Sequence, residues 1–114
     1  MFDKVKLFRV EMERELGGLQ GEGIKLDGTA ETNPGPIQGV LTSSSSSLAL
    51  ELEGRLKSRG IDVRAARPPA VKAGEERIRI VVHYHNTSEQ IARFARVMGE
   101  EVRDILGSRG GGQG

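Results

Sequence analysis

The sequence predicts a small two-layer α+β domain in which amphipathic helices cover one face of a short antiparallel or mixed sheet. Three observations predict it. Long segments repeat apolar residues every three or four positions, shorter segments alternate apolar and polar ones, and glycine- or proline-rich stretches separate the two kinds. The resulting order is helix, strand, helix, strand, strand, helix. A chain of 114 residues fits one such domain, and with 36% hydrophobic but 4% aromatic residues its core must be aliphatic.

Residues 3–19 carry the first helical stripe, formed by Phe2, Val5, Phe8, Met12, Leu16 and Leu19, and Gly17-Gly18 end its regular part. Residues 20–35 are rich in glycine, with threonine, asparagine and proline, and read as a loop. Pro36 to Leu41 is a short strand whose Gly39 suggests a bulge. The run Ser43 to Ser47 reads as a solvated turn offering N-caps to the next helix rather than as a phosphorylation tract or an oxyanion-binding loop. That helix spans about Leu48 to Arg59, with Leu48, Leu52 and Leu56 on one face and Gly60 placed to end it.

Ile61, Val63 and Ala65 then alternate with Asp62, Arg64 and Ala66, as a half-buried strand would, until Pro68-Pro69 stop it. The clearest strand follows, with Ile78, Ile80 and Val82 directed one way and Arg77, Arg79 and Val81 the other. Thr87 and Gln90 form a capping-box pair before the last helix, whose stripe runs Ile91, Phe94, Ala95, Met98, Val102, Ile105 and Leu106. Residues 107–114 hold no packing side chains and are expected to be disordered, which leaves 1–106 as the domain.

Charge and composition exclude several functions. Seventeen basic residues stand against sixteen acidic ones, a balance that disfavours a dedicated nucleic-acid or anionic-membrane binder. The absence of cysteine removes disulfides, thiolate metal sites and cysteine nucleophiles, and favours an intracellular setting. No apolar run is long enough for a membrane span, and Met1-Phe2-Asp3-Lys4 opens no secretory signal, so a cytoplasmic location is expected.

Patterning alone stops at a small α+β domain, and the segment Arg64 to Ile80 goes further. Arg67-Pro68-Pro69-Ala70-Val71-Lys72, then Gly74, then Arg77-Ile78-Arg79-Ile80 resembles the C-terminal signature of the α-oxoamine synthases, an Arg-Pro-Pro-Thr-Val-Pro run followed by a glycine and an Arg-Leu-Arg-Ile strand. Pro36-Ile37-Gln38, Gly60-Ile61-Asp62-Val63 and His85-Asn86-Thr87 are similar to flanking features of that family in the same order. The chain departs from the pattern at Ala70, Lys72 and Asn86, where the family has threonine, proline and histidine.

The resemblance implies the C-terminal small domain of a pyridoxal-phosphate-dependent acyltransferase that joins an amino acid to an acyl-CoA. Within the family it is nearest the branch that condenses alanine with pimeloyl-CoA for biotin. It further implies a large cofactor-binding domain and a homodimer partner. The family's cofactor forms a Schiff base with a lysine of the large domain. None of Lys4, Lys6, Lys25, Lys57 and Lys72 has the Ser-x-x-Lys-type context of that residue, so the chain by itself is expected to bind no cofactor and to be inactive.

Arg67 is the one substrate-binding candidate. The resemblance gives the matching arginine the task of holding the carboxylate of the amino acid or of the β-keto acid intermediate. Two prolines after it favour an extended backbone, and a guanidinium so placed grips both oxygens of a carboxylate with its planar fork. The plainer alternative is a surface ion pair with Glu75 or Glu76.

Other clusters read as ordinary structure. His83 and His85 share a strand face, but no third ligand is nominated for a metal. Arg64, Arg67, Arg77 and Arg79 suit a basic patch, yet the chain lacks aromatic residues to stack bases. Gly21-Glu22-Gly23 and the terminal glycines lack the strand-before, helix-after setting of a phosphate loop. Two function classes remain, a part of such an acyltransferase or a non-catalytic α+β binding or regulatory module derived from it.

Overall fold

The apolar stripe of the first helix finds its partner in the last. In the computed structural model, which describes residues 2–29, 31–42, 46–83 and 85–111, helix α1 (Phe2–Leu16) lies along helix α3 (Ser88–Gly111). Phe8 and Met12 of α1 are buried, and the Phe8 ring meets Phe94 with centroids 5.8 Å apart. A stripe of this kind in so short a chain suggests a face left bare, and the structure corrects that expectation for the described side chains. The stripe of α3, from Ile91 through Met98 to Ile105, closes over it.

Four strands, not three, form the sheet: β1 (Ile24–Leu26), β2 (Ile37–Thr42), β3 (Arg64–Ala66) and β4 (Arg77–Val81), in spatial order β1-β2-β4-β3. All neighbours are antiparallel. The additional strand, β1, falls inside the stretch expected to be loop. Its Ile24 and Leu26 are buried while Lys25 is exposed, an alternation too short to stand out among glycines. A 3-10 helix (Gly17–Glu22) delivers the chain from α1 to this edge.

Gly39 marks no bulge, because the β2–β4 register runs unbroken from Ile37↔Val81 to Leu41↔Arg77. It makes room instead, since a Cβ there would stand 3.2 Å from Cδ of Arg77, whose stem crosses the glycine. The β3 strand is shorter than its alternation suggests. Ile61 and Val63 are buried as expected, but ladder pairing begins only at Arg64. The outward N–H of Ala65 is satisfied by Oε2 of Glu53 at 2.9 Å, so a carboxylate caps this sheet edge.

Register places Gln38, Val40, Thr42, Ile24, Leu26, Ile78 and Ile80 on one face, and these residues are buried. Helix α2 (Ser46–Ser58) packs on the sheet here through Leu48, Leu52 and Leu56, and α1 packs on β1. The expected N-caps Ser43 to Ser45 lie outside the described residues. At the start of α3 the capping box is formed: Thr87 N–H donates to Oε1 of Gln90 at 2.9 Å, and Gln90 N–H to Oγ1 of Thr87 at 3.1 Å. Helix α3 continues to Gly111, beyond the Leu106 boundary and into the glycine-rich stretch where disorder is expected.

Charge pairing ties α2 to α3. Arg59 meets Glu100 and Glu101, each at 3.1 Å, and Arg55 meets Asp104 and Glu101. Hydrogen bonds to Asp104 and then Glu101 hold the Arg55 guanidinium above its ordinary pKa, and Glu101 and Glu100 do the same for Arg59. No helix among the described residues is long and apolar enough to cross a membrane.

Candidate functional site

Antiparallel pairing brings Arg64 of β3 directly opposite Arg79 of β4, on the sheet face that no helix covers among the described residues. Both guanidiniums are exposed and, among the described residues, neither has an ion pair or a hydrogen bond. Arg77, on the same face, is anchored by the carboxylates of Asp27 and of Glu75, the latter at 3.4 Å. Two clefts meet at Arg79. One, of about 550 Å³, opens between residues 60–64, the end of β4 and the first turns of α3. Its walls include the apolar Ile61, Val63, Val82, Ile91 and Phe94, while Arg64, Arg79 and Arg93 supply cations. The other, of about 580 Å³, lies between β2, Arg77 and the turn after β1.

An apolar wall with several guanidiniums suits an anion attached to a hydrophobic body, because the guanidinium fork matches carboxylate and phosphate oxygens. Sequence reasoning passed over Arg79 as one of several strand arginines. The signal that could have found it is the alternation of β4, which puts Arg77 and Arg79 together on the uncovered side.

Arg67 leaves β3 as an exposed residue. Its carbonyl accepts a hydrogen bond from Ala70 N at 3.0 Å, closing a turn around Pro68-Pro69, whose peptide bond is cis. Among the described residues its guanidinium has no ion pair, and Glu75 is engaged with Arg77 while Oε1 of Glu76 accepts from Gly74 N at 2.9 Å. It lines neither cleft.

His83 and His85 stack with ring centroids 5.1 Å apart, and no group of three potential metal ligands occurs among the described residues. None of the five lysines lines either of these two clefts. Lys4 donates to the Asn86 carbonyl, Lys57 pairs with Glu53 at 3.7 Å, and Lys6, Lys25 and Lys72 are exposed. These residues do not fit pyridoxal phosphate, which needs an amine inside a shaped pocket.

A different cluster, also missed from sequence, fixes the wall of the second cleft. Arg9 of α1 is 3% exposed and, among the described residues, forms no ion pair with a carboxylate. Its guanidinium donates to Oε1 of Gln38 at 2.6 Å and to the carbonyls of Gly28 at 2.7 Å and Asp27 at 3.3 Å. Gln38 in turn donates through Nε2 to the carbonyls of Gly35 at 2.5 Å and Asn33 at 3.1 Å. The pair pins the connection between β1 and β2 to α1. From sequence, Arg9 reads as one more polar residue beside the helical stripe.

A small α+β domain with clefts at an arginine-bearing sheet face is the class that fold and site define. No family model matches the chain. Among curated proteins it is 43% identical over 72 residues to the 8-amino-7-oxononanoate synthase of Stutzerimonas stutzeri, covering 63% of this chain and 18% of that protein. It is 31% identical over 98 residues to the Aliivibrio fischeri enzyme of the same name, covering 86% and 23%.

Among solved structures, the Sphingomonas wittichii serine palmitoyltransferase superposes with a TM-score of 0.65 at 28% identity, over 93% of this chain and 26% of that one. A serine palmitoyltransferase solved with its pyridoxal phosphate internal aldimine gives 0.65 at 28% identity, over 86% and 24%. In sequence and fold the chain is similar to enzymes of the α-oxoamine synthase family. It spans about a fifth of the length of the curated relatives it matches.

Proposed function

We propose that the chain is the C-terminal small domain of a cytoplasmic, homodimeric α-oxoamine synthase that condenses alanine with pimeloyl-CoA. Residues 1–106 make up the domain in this assignment. The observation that carries it is the segment from Arg67 to Ile80. That segment bears the family's signature and folds into a turn and strand beside two clefts. Pyridoxal phosphate supplies the electron sink for such a condensation when bound, and its lysine belongs to the remainder of the enzyme.

The task left to this chain is to grip a substrate carboxylate. Arg67 is the residue the signature nominates for it. One observation favours a second assignment within the same function: Arg67 lines neither cleft, whereas Arg79 lines both. The test replaces the matching stretch of the Stutzerimonas stutzeri enzyme by this chain and compares Arg67→Ala, Arg79→Ala and Arg96→Ala. Arg96 is exposed on α3 and lines neither cleft, so it serves as the control.

Loss of the carboxylate grip costs about 2–4 kcal/mol of transition-state stabilisation, roughly 30- to 900-fold in kcat/KM, while a surface arginine costs under about 1 kcal/mol. A large loss in Arg67→Ala supports the first assignment, and a large loss in Arg79→Ala alone supports the second. Small and equal losses in all three variants remove both arginines from the site. A chimera that folds but makes no 8-amino-7-oxononanoate from alanine and pimeloyl-CoA refutes the function.

A further inference from the structure

Among the described residues Arg79 has no ion pair, although the second cleft that it lines also holds the carboxylate of Asp27. Asp27 N–H donates to the Gly39 carbonyl at 2.9 Å, which continues the β1–β2 register one position beyond Leu26↔Val40. Gly39 in turn pairs with Arg79, and Arg79 with Arg64. Asp27, Gly39, Arg79 and Arg64 therefore form one row across the sheet, with a glycine between the acid and the two arginines.

Asp27 nevertheless pairs with Arg77, which starts two residues earlier on β4, opposite Leu41. Arg77 reaches it diagonally because Gly39 leaves the way open. A Cβ at Gly39 would stand 3.2 Å from Cδ of Arg77 and 3.7 Å from Cβ of Asp27. Three anchors hold the guanidinium once it has crossed. They are the Asp27 carboxylate, the Glu75 carboxylate at 3.4 Å, and the Glu75 carbonyl, which accepts from Nε at 3.0 Å. From the other side Arg9 fixes the backbone here, by the carbonyls of Asp27 at 3.3 Å and Gly28 at 2.7 Å.

Without Arg77 the Asp27 carboxylate would turn to Arg79. The two are separated by two strand spacings, about 10 Å at the backbone, a shorter path than the diagonal that Arg77 already spans. The Arg64–Arg79 pair sets like charges opposite each other, so an acid drawn to it would relieve their repulsion. A carboxylate of the chain itself would then sit where a ligand carboxylate is to bind. We propose that Arg77 is a positioning residue: it occupies Asp27 and so keeps the Arg79 guanidinium open to a substrate carboxylate. This role rests on Arg79, rather than Arg67, being the grip in the function proposed above.

Arginine modification by phenylglyoxal, followed residue by residue through peptide mass, reads the state of Arg79 in the isolated chain. Arg96, exposed on α3 and outside both clefts, gives the reference rate. Arg77→Met is expected to slow modification of Arg79 by about two- to sixfold, the factor by which an exposed ion pair lowers the open fraction. Adding Asp27→Asn is expected to restore the parent rate, since the amide offers Arg79 no charge. Arg77→Gln takes the place of Arg77→Met should that variant fail to fold. In the Stutzerimonas stutzeri chimera, Arg77→Met is expected to raise KM for alanine by about the same factor and to leave kcat within about twofold. The double variant is expected to recover the parent KM.

An Arg79 rate unaffected by Arg77→Met overturns the proposal. A slowing that persists in the double variant also overturns it, because Asp27 is then not the cause. Slowed and restored labelling beside an active chimera whose KM never moves removes Arg79 from the carboxylate grip, and leaves its shielding by Arg77 standing. An inactive chimera refutes the synthase function, while labelling of the isolated chain still decides the shielding.

Discussion

Ile80 and Val81 are neighbours in one strand, yet one is buried beneath helices and the other is about half exposed. That contrast runs through the whole sheet. On the covered face every side chain has its partner within the domain: Val40 and Ile78 pack on aliphatic residues, and even the buried polar Gln38 is matched to Arg9. On the uncovered face Arg64 and Arg79 have no counter-ions among the described residues, and Ile37 with Val81 form an apolar strip in water. The covered face is explained by this chain's own packing, whereas the uncovered one draws little of its stability from it.

If that division is right, substitutions on the covered side should destabilise the isolated chain and those on the uncovered side should not. The largest effect belongs to Phe8→Ala, which empties the seam between α1 and α3. It should cost about 3–5 kcal/mol, read as a lower midpoint in urea denaturation. A loss under about 1 kcal/mol would break the comparison, because the seam would not then be close-packed.

Next comes Arg9→Ala. It strips the donor from Oε1 of Gln38 and from the carbonyls of Gly28 and Asp27, at about 1.5–3 kcal/mol. The residues it frees belong to the second cleft, so hydrogen exchange should rise over residues 27–35 more than in α3. Uniform acceleration across the chain would show that Arg9 stabilises the fold without holding this wall. Thr87→Ala removes half of the capping box and should cost about 1 kcal/mol, seen as earlier fraying at the start of α3.

These same positions show what a sequence discloses. The helical stripes and the β4 alternation were legible because burial in a two-layer domain imposes a period on long segments, and Val5 to Leu16, Ile78 to Val82 and Ile91 to Ile105 all keep it. The capping box at Thr87 was legible because its two partners are three residues apart. β1 was not, because three residues give one cycle of alternation, and its pairing to Leu41 and Val40 is set by tertiary contact. The Arg9–Gln38 bond links positions twenty-nine apart, and no local pattern announces it. At the candidate site, the arginines of β3 and β4 were visible one by one, but that Arg64 faces Arg79 depends on register, which only the folded sheet defines.

The smallest effect gives the sharpest test, because one chemical change can be made on both faces. Val40→Thr puts a hydroxyl into the covered face, where Val40 is fully buried between β1 and β4. Burying that group without a partner should cost about 1–3 kcal/mol. Val81→Thr keeps the β-branched shape and strand preference, and water hydrates the new hydroxyl. Its cost in the isolated chain should stay within about 0.5 kcal/mol, the usual range for surface positions. Comparing the urea midpoints of Val40→Thr and Val81→Thr in the isolated chain reads the two faces side by side. If Val81→Thr costs as much as Val40→Thr, the exposed face is packed as tightly as the covered one, and the difference between them disappears.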